Sequence, residues 1–283
     1  MAVDFVSVTL RALSFTALFQ AVGMAFFLAL FGRELTQSGP GLRRFGLIAA
    51  SAGVLLVLAH MALQAPRMAG DFSGFLDGGL QRLAWNSRSG TAALMEAAGL
   101  LGIAVSLANP ARGGAPSAAL CGLISIGGFL LTGHTSVHPL RPILAALLAL
   151  HLLVVAFWFG SLAPLLAVIR SEARPLAARI VTRYSAIAGW LVPLILLAGL
   201  AMAWMLAGSL AVLRQPYGQL LLAKFAGFAL LMLLASANRW RLVPALAAGS
   251  PATALRLSIA MEIALLAAVL STTAVLTTYY SPH

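Results

Sequence analysis

Long apolar runs separated by short polar connections make up most of this chain. Each run holds about 20 residues, the length that an α-helix needs to cross a hydrocarbon core about 30 Å thick. The pattern predicts eight spans, at residues 9–31, 44–63, 90–108, 117–134, 143–168, 185–208, 217–236 and 255–278. We therefore expect an all-α integral membrane protein in which residues 1–283 form a single membrane domain.

Composition supports the same class of protein. Of the 283 residues, 61% are hydrophobic and 9% are charged, against roughly 25% charged in soluble domains. The net charge of +11 does not indicate nucleic-acid binding, because the basic residues lie at the ends of the apolar runs. The opening MAVDFVSV has no basic segment before its apolar run, so we expect a retained first span and not a cleaved signal peptide.

The arginines predict how the spans are oriented. The connections after spans 1, 3, 5 and 7 hold eleven arginines: Arg33, Arg43, Arg44, Arg112, Arg170, Arg174, Arg179, Arg183, Arg239, Arg241 and Arg256. The other side holds six: Arg11, Arg67, Arg82, Arg88, Arg141 and Arg214. Cytoplasmic loops are enriched in basic residues, so the first group is assigned to the cytoplasm. Both termini are then predicted to be periplasmic.

One outer connection, residues 64–89, is long enough to have structure of its own. Apolar residues recur there at helical spacing, with polar residues between them: Phe72, Phe75, Leu76, Leu80 and Leu83. We expect an amphipathic helix over residues 70–85 that lies on the outer face and ends at Trp85. An irregular loop is the alternative.

A weak internal similarity suggests that the chain contains two related halves. RRFGLIAASAGVLLVLAHM (43–61) resembles TRYSAIAGWLVPLILLAGL (182–200), and GTAALMEAAG (90–99) resembles GQLLLAKFAG (218–227). Four spans per repeat is an even number, so the halves 1–140 and 141–283 would be parallel four-helix repeats.

All five histidines fall on the predicted outer side. They are His60 at the end of span 2, His134 at the end of span 4, His138 in the next connection, His151 in span 5 and His283 at the C-terminus. His151 lies nine residues past Pro142, which places it about 13 Å along span 5. A buried imidazole needs a partner, and imidazole is a common ligand of copper, zinc, iron and nickel. A hydrogen bond to a neighbouring helix is the alternative for His151.

Several methionines lie near the same side, and thioethers favour reduced copper. The candidates for additional ligands or for a metal path are Met61, Met95 and Met202. Methionine also fills gaps between helices, so this assignment depends on the histidines. The predicted inner half has few ligands: Cys121, Met232, Met261 and Glu262.

The order of short motifs resembles the copper resistance protein D family. The motifs are GH (133–134), LH (150–151), WFGSL (158–162), RYS (183–185), YGQLLLAKF (217–225) and ANRWRLVP (237–244). The resemblance implies an eight-span inner-membrane protein that takes up copper from the periplasm, often beside a soluble copper carrier, and that is not an enzyme. It also implies that His134 and His151 are the motif histidines. His60 and His138 join them by position and chemistry only.

Other polar and aromatic residues inside the spans have structural and functional interpretations. Trp158 lies two turns below His151 and either closes the bottom of the metal site or packs as an ordinary aromatic residue. Gly160 is expected to permit a close approach of another helix. Glu96 and Lys224 are expected to pair across spans 3 and 7, or Glu96 is a metal or proton stop. Arg239, Arg241 or an arginine among residues 170–183 is expected to neutralise Glu262. Asn238 and Arg239 are expected to cap span 7.

Two other functions fit the same residues. Paired histidines on facing helices also bind haem b, and His60 with His151 could be such a pair, with Arg67 or Arg82 holding a propionate. The third possibility is an outer-face scaffold that loads copper onto partner proteins without carrying it across the bilayer.

Overall fold

The computed structural model describes residues 2–109, 114–133, 136–207 and 214–279, and every regular element within those ranges is helical. The eleven α-helices are α1 (Ala2–Phe31), α2 (Gly39–Ala62), α3 (Gln64–Ala69), α4 (Gly78–Trp85), α5 (Arg88–Ala108), α6 (Gly114–Gly128), α7 (Arg141–Ser171), α8 (Arg174–Ala207), α9 (Pro216–Ala237), α10 (Val243–Ala247) and α11 (Thr253–Tyr279). Eight helical segments are long and apolar enough to span a membrane, those of α1, α2, α5, α6, α7, α8, α9 and α11. The predicted all-α, eight-span architecture is confirmed.

The sixth span begins earlier than the hydrophobic pattern predicts. Helix α8 begins at Arg174, eleven residues before the predicted start, and includes part of the arginine series that was assigned to a connection. Arg179 and Arg183 are one turn apart on the same face of α8, and both form ion pairs with Glu34. The basic segment is therefore part of the helix, which the apolar pattern alone does not predict.

The outer connection is helical, but it is not the single helix that we expected. Helix α3, a 3-10 turn at Phe72–Phe75 and α4 follow one another as three short pieces. Gly70 ends α3, because its φ of 87° is a conformation that glycine adopts without strain. Asp77 begins α4, because its side chain caps that helix by accepting hydrogen bonds from the amides of Gly79 and Leu80.

The spanning helices form two groups that meet at α1. Helices α1, α2, α5 and α6 pack together, and α7 packs against α8 and α11, while α9 packs against α11. Helix α1 also packs against α7 and α11, and so joins the groups. This pairing is compatible with two parallel four-helix repeats, which stay a prediction.

Both ends of the described chain lie at one end of the bundle. Arg11 Nε of α1 donates to Thr277 Oγ1 of α11 at 3.0 Å. We name this the terminal end, and the end that holds the connections 32–38, 172–173 and 248–252 the opposite end. The side of the membrane that each end faces stays a prediction.

A buried carboxylate holds two connections together at the opposite end. Glu172 is 7% exposed, and it accepts hydrogen bonds from the amides of Thr36, Gln37 and Ser38 at 3.1, 3.0 and 2.9 Å. Burial alone would raise the pKa of Glu172, but the hydrogen bonds from Thr36, Ser38 and Gln37 outweigh burial and lower it to about 2. The carboxylate therefore ties the α1–α2 connection to the end of α7.

Candidate metal-binding site

The described histidines lie toward the terminal end, but on different elements. His60 is near the end of α2, His138 is in the connection before α7, and His151 lies ten residues after the start of α7. His134 and His283 lie outside the described residues.

His151 has the geometry of an oriented metal ligand. Its Nδ1 lies 3.3 Å from the backbone carbonyl oxygen of Ile195 in α8. A carbonyl oxygen can only accept, so this hydrogen bond requires the proton on Nδ1 and leaves the lone pair on Nε2. Metal-binding histidines commonly donate their other ring N–H to such a carbonyl, which fixes both the tautomer and the ring orientation.

The residues around His151 come from α8 and α9. A Cβ built on Gly199 would lie 3.9 Å from the imidazole ring, so glycine leaves room beside it. Met202 follows Gly199 by three residues and lies on a similar side of α8, one turn nearer the terminal end. The charge of Lys224 on α9 acts on His151. A metal ion at His151 would therefore experience repulsion from a nearby ammonium group.

His60 has a different environment, which is shared between α1, α2 and α3. Its Nε2 is buried without a hydrogen-bond partner, and Arg11 and Arg67 both act on the ring electrostatically. The next residue, Met61, is 3% exposed and packs in the core. An unpartnered buried nitrogen is costly, so His60 is chemically suited to a ligand, although the two guanidinium groups oppose a cation.

Glu96 lies near Arg11 and not in an ion pair with Lys224. The cation that acts on Glu96 is Arg11 of α1, and the ion pairs found among the described residues do not include one between Glu96 and Lys224. The side chain packs closely on α6, where a Cβ on Gly128 would lie 2.7 Å from Glu96 Cγ. The predicted pairing was wrong because α5 packs with α1, α2 and α6, whereas α9 packs with α11. A metal or proton role for Glu96 stays a prediction.

His138 uses one ring nitrogen to shape the connection before α7. Its Nδ1 accepts a hydrogen bond from the amide of Leu140 at 3.0 Å. In that tautomer Nε2 carries the proton, so neither nitrogen offers a free lone pair. This geometry favours a local capping role over metal binding.

The three histidines that the structure describes do not form one cluster. Within the described ranges, no three His, Cys, Asp or Glu residues are grouped so that they could hold a metal ion. His60 and His151 lie on α2 and α7, and α1 packs against both helices. Arg11 and Arg67 act on the His60 ring, whereas the Ile195 carbonyl and Lys224 act on the His151 ring, which does not favour a haem held between them. The predicted pairing of His134 with His151 involves a residue outside the described ranges and stays a prediction.

Methionine side chains lie close to small residues. Met95 on α5 faces α6, because a Cβ on Gly127 would lie 3.4 Å from its methyl carbon. Small residues therefore leave room for flexible thioethers, which suits packing as well as metal binding.

Toward the opposite end, Glu262 forms a buried polar network that the sequence did not predict. Trp158 Nε1 donates to Glu262 Oε2 at 3.2 Å, and Asn238 Nδ2 donates to Oε1. Tyr184 donates to the Trp158 carbonyl at 3.4 Å. The arginines expected to neutralise Glu262 do not pair with it in the described part of the chain. Trp158 thus contacts this carboxylate.

Asn238 stands at the C-cap position of α9, as the sequence predicts. The chain does not enter a loop there, because a π-helical turn over Asn238–Leu242 continues it into α10. The turn directs Asn238 toward α11. Asn238 could have been recognised in the sequence as an amide within a long helical segment, where a polar side chain needs a partner.

Comparisons with known proteins agree with the motifs. The sequence-family model of the copper resistance protein D-like N-terminal domain matches residues 1–140. The family model of copper resistance protein D matches residues 178–276. Copper resistance protein D from Pseudomonas syringae pv. tomato is 30% identical over 263 residues, which cover 86% of this chain and 84% of the relative. No solved structure matches. With eight membrane-spanning helices and both family models matched, this chain belongs to the copper resistance protein D family of multi-pass membrane proteins.

Proposed function

We propose that this protein binds copper at the terminal end and carries it across the bacterial inner membrane, from the periplasm inward. His151 is the central ligand, and the observation that supports it most directly is the hydrogen bond from Nδ1 to the Ile195 carbonyl. That bond leaves Nε2 available for copper. Copper is the cargo of the protein, and no enzymatic step is involved.

His134 is the proposed partner of His151, with Met202 as an additional thioether ligand. His134 follows Gly133, which adopts φ of 79°, and lies two residues before Ser136, whose hydroxyl donates to the Gly133 carbonyl at 2.7 Å. The connection that carries His134 leads into α7, the helix that holds His151.

His60 is proposed as a separate site of capture, together with Met61 and Glu96. Arg11 acts on both His60 and Glu96, so these two side chains lie within electrostatic reach of the same guanidinium. The cationic surroundings weaken this site relative to His151, and a weak first site suits transfer onward. A periplasmic copper carrier is the proposed donor, and the lipid bilayer is the surrounding medium.

Copper titration of the purified protein in lipid nanodiscs tests the ligand assignment. His151→Ala and His134→Ala should each lower copper affinity at least about tenfold, because each removes a direct ligand. His138→Ala is the matched control and should bind copper like the wild type, since its Nδ1 serves the Leu140 amide. Unchanged affinity in both His151→Ala and His134→Ala, with the thermal transition intact, would contradict the proposal. Copper uptake into proteoliposomes separates transport from an outer-face scaffold, which would bind copper without moving it.

A further inference from the structure

A cavity lies between α7, α8, α11 and the π-helical turn, in the half of the bundle nearest the opposite end. It has a volume of about 290 Å³ and is lined mostly by apolar side chains. Its polar lining includes Glu262, Asn238, Tyr184 and Ser185. Since a water molecule takes about 30 Å³ in the liquid, the cavity has room for an ion together with several waters.

The Glu262 carboxylate is buried beside this cavity without a cation partner. The residue is 2% exposed, and its oxygens accept hydrogen bonds from two neutral donors, Trp158 and Asn238. Arg239 also lines the cavity, but its guanidinium donates to the Ser185 carbonyl. A carboxylate placed in a membrane interior is costly unless a cation neutralises it.

The other acidic residues near the opposite end already have ion-pair or hydrogen-bond partners. Glu34 forms ion pairs with Arg179 and Arg183. Glu172 is saturated by the amides and hydroxyls of the α1–α2 connection. Among the described residues of this half, Glu262 is therefore the carboxylate that has a cavity beside it and no ion pair.

Further oxygen atoms around Glu262 are buried and unpartnered. Asn238 is 9% exposed, lines the cavity, and has an Oδ1 without a hydrogen-bond partner. Ser258 precedes Glu262 by one helical turn, and its Oγ is also buried without a partner. Unsatisfied buried acceptors are rare in folded proteins and indicate a missing water or ion.

We propose that Glu262 and Asn238 form a further metal-cation site, in which the Glu262 carboxylate and the Asn238 amide oxygen bind copper after it leaves His151. This inference rests on the proposed function, because it identifies the inward part of the same path. Oxygen ligands bind copper more weakly than imidazole does, and a site that releases its ion must bind it weakly.

The geometry favours a metal cation over a proton. A proton needs one acceptor atom and no free volume, whereas this site combines a carboxylate, a second unpartnered oxygen and a cavity of about 290 Å³. Met232 also lines the cavity and adds a thioether. These ligand atoms are thus numerous enough to replace several of the water molecules around a hydrated ion.

The cavity lies next to the environment of His151. On α8 its lining extends to Val192 and Pro193, and the Ile195 carbonyl that orients His151 follows by two residues. On α7, Trp158 lies seven residues after His151, which is about 10 Å along the helix axis. The cavity therefore begins about 10 Å from His151 along α7, on the side toward the opposite end.

The test combines copper stoichiometry with transport, using the full-length protein and Cu²⁺ alone as the probe. Glu262→Gln in nanodiscs should bind one copper equivalent fewer than the wild type, and uptake into proteoliposomes should fall at least about tenfold. Glu34→Gln is the matched control, since it makes the same chemical change in the same half of the bundle. It should preserve both the stoichiometry and the rate.

A second variant keeps the test valid if Glu262→Gln does not fold. Asn238→Ala retains the carboxylate but removes the amide oxygen, so the copper equivalent at Glu262 should bind about tenfold more weakly. Electron paramagnetic resonance should assign that equivalent to oxygen ligands, with no nitrogen hyperfine coupling from imidazole. Nitrogen coupling on every equivalent would contradict the assignment.

Other results would overturn the inference in distinguishable ways. Full copper stoichiometry and affinity in a folded Glu262→Gln variant would remove the metal site, and slow uptake with that full stoichiometry would assign Glu262 to a proton instead. Loss of all wild-type copper equivalents in the combined His60→Ala and His151→Ala variant would leave the proposed function intact without a site at Glu262. Absence of copper binding in the wild type would contradict the proposed function itself.

Discussion

Gly23 on α1 and Gly160 on α7 face each other where the two helices cross, with no room for a side-chain carbon between them. A Cβ on Gly160 would lie 2.5 Å from the Gly23 Cα and 2.5 Å from the Phe19 carbonyl oxygen. Gln20 Nε2 also donates to the Gly160 carbonyl at 2.9 Å. This crossing joins the first four spans to the last four, so the relative position of the two groups depends on it.

Gly160→Ala should destabilise the protein by about 1–3 kcal/mol, because α1 and α7 must move apart to admit a methyl group. Thermal unfolding in detergent measures the loss. Gly41→Ala is the matched control, since nothing lies within 4 Å of a Cβ built at Gly41. Equal stability of the two variants would mean that the crossing tolerates a side chain.

The small residue at position 160 was predictable, but its partner was not. The WFGSL motif indicated a close helix approach at Gly160, and the structure confirms it. Gly23 lies in an apolar run with no comparable motif, so periodicity alone could not show that α1 would be the helix approached. Sequence patterns define lengths and faces of spans better than the pairing between distant spans.

The partners of the buried charges also could not be predicted from the sequence. Matching depth suggested a pair between Glu96 and Lys224, yet Arg11 acts on Glu96 and Lys224 acts on His151. Depth along a helix follows from counting residues, whereas a partner depends on which helices are neighbours. The network of Glu262 with Asn238 was missed for a related reason, because it depends on a π-helical turn that alters which face the side chain occupies.

The Glu172 carboxylate predicts a dependence of stability on acid pH. Its pKa is lowered from 4.5 to about 2 in the folded protein, so ionisation stabilises the fold. That stabilisation is fully present above the unfolded value near 4.5 and is lost as the pH falls toward about 2. We expect the unfolding temperature of the wild type to decrease across this interval.

Glu172→Gln should abolish most of that pH dependence and lower the stability at pH 7 by about 2 kcal/mol, because a neutral amide cannot replace an anion that accepts several hydrogen bonds. Glu34→Gln is the control: its ion pairs with Arg179 and Arg183 are partly exposed and contribute about 0–1 kcal/mol. An unchanged acid profile in Glu172→Gln would show that other groups control the transition.

The orientation of the bundle can be tested at two positions. The contact between Arg11 and Thr277 places both ends of the described chain together, and the eleven-to-six arginine bias predicts that they face the periplasm. A periplasm-active reporter fused at the C-terminus should be active. The same reporter fused within the connection 248–252 should be inactive, and the reverse pattern would place His151 toward the cytoplasm and contradict uptake from the periplasm.

Lys224 provides the last prediction, because it places a positive charge close to the proposed ligand His151. Its ammonium group has no lone pair for copper, so its effect on a bound cation is repulsive. Replacing it by an uncharged residue that cannot bind copper, Lys224→Leu, should raise copper affinity by about five- to thirtyfold, equivalent to about 1–2 kcal/mol at an effective dielectric constant of about 20.

Arg214→Gln is the control for Lys224→Leu, because it removes one positive charge from an exposed residue shortly before α9. Solvent and salt screen an exposed charge, so this variant should change copper affinity by less than about twofold. Copper titrations of both variants at one ionic strength measure the difference. If Lys224→Leu binds copper more weakly than the wild type, then Lys224 supports the site in another way, through the packing of α9 against α11 or through a hydrogen bond. If both variants gain affinity equally, the repulsion comes from the net charge of the protein and not from the position of Lys224 beside His151.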